Sequence, residues 1–145
     1  MFVDDVIARI DDEVPALANR TKGAADLSTL VSEGSLPQSA VAAFVLPIGF
    51  RNTSAGDASA NAFTQMLVET IGILLVIRNA NDITGGKSLP KIETLADLLI
   101  AKIAGWAPSG AFGVFSVSRG QLLSANDGTV IYQLDFAIQK QVRNI

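Results

Sequence analysis

Val130-Ile131-Tyr132-Gln133-Leu134-Asp135-Phe136-Ala137-Ile138-Gln139-Lys140-Gln141-Val142 carries an apolar side chain at every second position, with Lys140 the single interruption. A period of two is the mark of a strand that lays one face on a core and the other toward water. Asn126, Asp127 and Gly128 stand just before it and suit a tight turn, so the strand is fed by a hairpin. Upstream, Phe112 to Val117 and Gly120 to Leu123 read as two short strands.

The same reading extends to residues 64–78. Met66, Val68, Leu74 and Val76 fall on one face, and Leu67, Ile71, Ile73, Leu75 and Ile77 on the other, so its second half is apolar on both sides. Val41 to Phe50 is a further apolar strand, in which Pro47 demands an edge position or a bulge. Helical spacing appears in two places. Val3, Val6, Ile7, Ile10 and Val14 predict a helix over 2–14, with Asp4 and Asp5 at its positive end. Ser88 reads as a cap, Pro90 fits the first turn, and Ile92, Leu95, Ala96, Leu99 and Ile103 form one stripe ending at Gly105. Between Ala18 and Gln38 the pattern is irregular, with Leu27, Leu30 and Val31 anchoring one short element. The expectation is a single α+β domain over 1–145, a mostly antiparallel β-sheet with long strands flanked by two main α-helices.

Strand length has a consequence. The residues 64–78 would span roughly 50 Å at about 3.3 Å each. A compact domain of this size has a radius of gyration of about 15 Å and a diameter near ~40 Å. Such strands must bend, with Gly72 the place for it, or project past the core toward a neighbouring subunit. Arg51 to Asn61 is polar and lacks large apolar anchors, and reads as a long mobile loop that orders against a partner.

Composition excludes several classes of function. There is no cysteine and no histidine among 145 residues, which removes thiolates, imidazole bases and nearly every zinc or iron site. A net charge of −3 gives no basic field for nucleic-acid affinity. Mean hydropathy is high at +0.38, yet Ile71 to Ile77 is far shorter than the roughly 20 residues of a membrane-spanning helix. Met1 to Asp12 holds four aspartates and one arginine, unlike a secretory signal, so a cytoplasmic location is expected during assembly. Surplus apolar surface points to protein partners.

The chemistry-bearing motifs have bland accounts. Gly85-Gly86-Lys87-Ser88 follows a strand and opens a helix, as a phosphate-binding loop would, but Asn81 stands where the first glycine belongs. No apolar strand ends in a metal-binding aspartate, and Asp135 lies mid-strand. A small nucleotide-binding protein using the Gly85–Ser88 loop and Lys87 is the remote alternative. Asp11, Asp12 and Glu13 are adjacent on a helix and point in different directions. Asp57 and Asp127 have local turn roles. No serine has a histidine partner or sits in Gly-x-Ser-x-Gly, although a Ser–Lys dyad is left open. Trp106 reads as a cap on the core, with stacking on nucleic acid as the lesser reading. The expected catalytic, cofactor-binding and metal residues are none, and the chain is expected not to be an enzyme.

One ordered set of motifs carries a resemblance. Phe44-Val45-Leu46-Pro47 precedes a strand ending in Val76-Ile77-Arg78-Asn79, a loop with Asp82 and Gly85, and a helix closing in Gly105-Trp106-Ala107-Pro108. Gly120-Gln121-Leu122-Leu123, Asp127-Gly128-Thr129 and Tyr132-Gln133-Leu134-Asp135-Phe136 follow. Over roughly 41–138 the chain resembles the tail terminator proteins of long-tailed bacteriophages. The resemblance implies a homo-hexameric ring at the head-proximal end of the tail, binding the tail tube protein and a neck or head-completion protein. Such a ring stops tube polymerisation and lets DNA pass through its lumen without sequence recognition. Another phage neck or tail-completion ring protein of similar fold is the alternative. On this basis Arg51, Asn52, Ser54, Asp57, Asn61, Lys140 and Arg143 are the candidate subunit or tube contacts.

Overall fold

The computed structural model describes residues 2–33, 40–59, 61–79, 86–126 and 128–144. In chain order the elements are α1 (Val3–Glu13), a 3₁₀ turn (Pro15–Leu17), β1 (Thr21–Gly23), α2 (Ala24–Ser32), β2 (Val41–Asn52), β3 (Asp57–Ser59), β4 (Ala62–Arg78), α3 (Ser88–Ile103), β5 (Ser116–Asn126) and β6 (Thr129–Asn144). The strands form one sheet in the order β1-β2-β4-β6-β5, with β3 pairing β4 beyond the end of β2. All pairings are antiparallel except β1 with β2. The class is α+β, as the alternation of residues predicts.

The backbone of the fold is the β4–β6 ladder, which holds its register from Phe63↔Asn144 to Arg78↔Thr129. Odd residues of β4 and even residues of β6 therefore share a face. On that face Ile71, Ile73, Leu75 and Ile77 meet Leu134, Phe136 and Ile138, and α1 and α3 cover them with Val6, Ile10, Ile92, Leu99 and Ile103. The other face carries a smaller cluster of Ala42, Phe44 and Val76, packed by Leu27 and Leu30 of α2. That third helix fulfils the short element expected near Leu27, but Val31 is 70% exposed and anchors nothing.

Pro47 lies where β2 has passed the end of β1 and sits at a bulge between Pro47 and Gly49. Proline is tolerated there because no neighbouring strand needs its missing N–H. Opposite the bulge stand Ile71 and Thr70, and the bulged Ile48 side chain lies over Gly72, which pairs with Leu46. Gly105 takes a left-handed φ of 81° just after α3, the conformation that ends a helix at glycine.

Three expectations need correction. The stretch 51–61 is not one long loop: β2 continues to Asn52, and β3 pairs with residues 62–64. Its apolar anchor is supplied from across the sheet, since the Phe63 ring lies over Gly56. Of the two short strands expected at 112–117 and 120–123, residues 112–115 lie outside any strand, and the rest belong to the single strand β5, whose alternation is broken by irregularities at Val117/Arg119 and Leu122/Ser124. Ser88 is the first helical residue of α3 and is buried, while Lys87 holds the cap position without a side-chain capping bond.

Candidate assembly interface

From Ala62 to Val68 no residue of β4 is fully buried, although the strand is paired with β6 from Phe63 onward and, except at Gln65 and Met66, with β3 or β2 on the other side. The helices stop short of this part of the sheet. About seven residues at ~3.3 Å each make an uncovered arm roughly 23 Å long.

All seven candidate contact residues lie on that arm, brought together by strand register from two distant stretches. Asn52, Leu67 and Lys140 occupy one row, and Arg51, Val68 and Gln139 the next. Asp57, Thr64 and Arg143 form another row nearer the tip. Asn61, with φ 64°, makes the turn between β3 and β4, a conformation in which asparagine is enriched. Ser54 contributes its carbonyl oxygen, which accepts a hydrogen bond from Gln65 Nε2 at 3.0 Å. The segment 53–59 is thus tied to β4 by backbone and side-chain bonds, including Thr53 Oγ1 donating to the Met66 carbonyl at 3.3 Å.

Arg51, Lys140 and Arg143 are exposed, and none has an ion-pair partner among the described residues. Asp57 is the one exposed acid among the described residues of the arm. The arm end is thus cationic on a chain that is acidic as a whole. Phe50 adds a large apolar side chain that is 72% exposed.

Glu69 was missed by the sequence reading. It lies at the root of the arm, 4% exposed, in a row with Phe50 and Ile138. Neither carboxylate oxygen has a hydrogen-bond partner among the described residues. The signal was available in the pattern: position 69 continues the series 71, 73, 75 and 77 that faces the helices.

The remaining polar groups have structural occupations. Asp135, 7% exposed, accepts a hydrogen bond from Gln133 Nε2 at 2.8 Å and lies 3.8 Å from Arg119 Nε. Trp106 stacks on Phe115 at 5.8 Å and receives the Arg9 guanidinium at 5.0 Å from its ring centre, as a cap on the core should. Of the glycine-rich motif, Gly85 lies outside the described residues, and Gly86 and Lys87 form the turn into α3. No cluster of three or more potential metal ligands occurs among the described residues.

A family model, described as phage tail terminator protein, matches residues 2–145. The chain belongs to the phage tail terminator family. The match takes in α1 and α2 as well as the region 41–138 that carries the resemblance by motif. No curated protein matches the chain. Membership makes this tail terminator family protein a structural component of the phage tail, and so of the virion, that acts with other tail or head components. No helix among the described residues is long and apolar enough to cross a membrane.

Proposed function

We propose that this protein assembles into a homo-hexameric ring that caps the head-proximal end of the tail tube, stops tube polymerisation and joins the tail to the neck. The observation that carries the reading is the uncovered arm. A paired sheet extending roughly 23 Å beyond its helices exposes apolar and cationic groups that a lone subunit leaves in water. A closed ring gives each arm a neighbour. The seven arm residues from Arg51 to Arg143 are its subunit or tube contacts, and DNA passes through the lumen without sequence-specific contact. The ring is a structural part, with no catalytic step of its own.

Electron microscopy of the purified protein with and without its tail tube tests this. Rings bound at one tube end, and tubes of uncontrolled length when the gene is deleted, are the expected results. Tubes of normal length in the deletion would exclude the terminator role and favour another neck or tail-completion ring protein.

A further inference from the structure

A second open surface lies on the helix-covered face, away from the arm. Between α3 and the strands β5 and β6 runs a groove of about 470 Å³. Ile92, Ala96, Ile100, Val117 and Leu134 give it an apolar lining, and Glu93 and Asp97 stand on the α3 side. The two acids are four residues apart, hence on one helix face, where like charges repel. Both are exposed, and neither has an ion-pair partner among the described residues. The outer wall is the sheet edge β5, where Val117, Leu122 and Leu123 are each more than two-fifths exposed. Such an edge invites association unless something covers it.

We infer that the groove receives the arm of a second copy of this chain, with Phe50 entering the apolar lining and Lys140, on the same face of the sheet, meeting Glu93 and Asp97. The complementarity is in both kind and sign. The arm has an unpaired cation, Lys140, on the same face as an exposed aromatic ring, and the groove has unpaired acids beside apolar walls. The two surfaces differ, so the contact is heterologous, and repetition of a heterologous contact builds a ring where the rotation closes and a filament where it does not. Arm and groove are well separated on the sheet. Lys140 stands opposite Leu67, whereas the groove residues Tyr132 and Leu134 stand opposite Leu75 and Ile73. One subunit can therefore give and receive at once. This assignment rests on the ring reading and specifies which surfaces meet in it.

The absence of cysteine makes the test clean. Lys140→Cys and Asp97→Cys, placed in one chain under mild oxidation, should give a ladder of cross-linked multimers on a denaturing gel. The charge reversals Asp97→Lys and Lys140→Glu should each raise the concentration needed for assembly by at least about tenfold in sedimentation velocity, because like charges then face each other. Combining the two reversals in one chain should recover most of that loss. Rings that form at wild-type concentrations despite both single reversals, with no cross-link, would overturn the arm-in-groove contact while leaving the ring intact. A wild-type chain that stays monomeric at all concentrations and in the presence of tube would instead remove the ring reading, and this contact with it. Cross-linked species that stop at dimers would also overturn it, since they would show a reciprocal pair.

Discussion

Ile48 crosses directly over Gly72: a Cβ added at position 72 would lie 2.9 Å from Ile48 Cδ1 and 3.1 Å from Asp135 Oδ1. The contact occurs at the bulge between Pro47 and Gly49, where β2 shifts register against β4. Residues before the bulge put odd numbers on the helix face, whereas Phe50 and Asn52 lie on that face beyond it. The orientation of the cationic arm end thus depends on a glycine in the neighbouring strand.

Replacing Gly72 by valine should overpack this crossing and destabilise the chain by about 1–3 kcal/mol. Urea denaturation followed by circular dichroism measures it. Adding Ile48→Ala to Gly72→Val should return part of the loss, because it removes the clashing atoms. Equal stability of Gly72→Val and wild type would show that the crossing is not close-packed.

Gly56 and Phe63 form a second such pair, since a Cβ on Gly56 would meet the Phe63 ring at 2.7 Å and its φ of 92° disfavours a side chain. Gly56→Ala should release 53–59 from β4 while leaving the main core in place. Hydrogen exchange should show lost protection at residues 57–59 and 62–64, with the free energy of global unfolding changed by less than about 1 kcal/mol. Unchanged exchange there would mean that Phe63 does not hold the segment.

Arg9 joins three parts of the helical layer. It donates from Nε to the Lys102 carbonyl at 3.0 Å, lies 3.9 Å from Glu13, and covers Trp106. The guanidinium is only partly exposed, so Arg9→Ala should cost about 1–2 kcal/mol, mostly from the charged hydrogen bond and the aromatic contact. Trp106 is the only tryptophan, so its emission reports directly and should shift to longer wavelength as water reaches the ring. An unaltered spectrum would show that Arg9 does not shield it.

The long elements were legible because each repeats one period over many residues. β4 runs over 62–78 where alternation indicated 64–78, and the stripes of α1 and α3 mark their core faces. Elements supported from elsewhere in the chain were not legible. β3 has no apolar residue larger than alanine and depends on Phe63, β1 is three residues held by parallel pairing to β2, and two irregularities erase the period of β5. For the candidate site, the resemblance points to Arg51 and Lys140 in two separate stretches. Their placement in neighbouring rows of the arm, on opposite faces of the sheet, is a property of register, which no local pattern encodes. Glu93 and Asp97 are exposed positions of an amphipathic helix, and only the open β5 side makes them the rim of a groove.

Glu69 gives the prediction with the least expected sign. Burying a carboxylate without partners costs several kcal/mol, and its removal from an apolar surround is often stabilising. Glu69→Met keeps the length of the side chain and removes both unsatisfied oxygens between Phe50 and Ile138. At neutral pH the variant should be more stable than wild type by about 1–3 kcal/mol in urea denaturation. Sedimentation velocity on the same sample then separates two reasons for the acid. If assembly is unchanged, Glu69 is a local cost at the root of the arm. If the more stable variant assembles poorly, the carboxylate is uncovered on assembly and meets a cation of the neighbouring subunit. A loss of stability in Glu69→Met would contradict the premise, because it would show that the carboxylate is already satisfied in the folded chain.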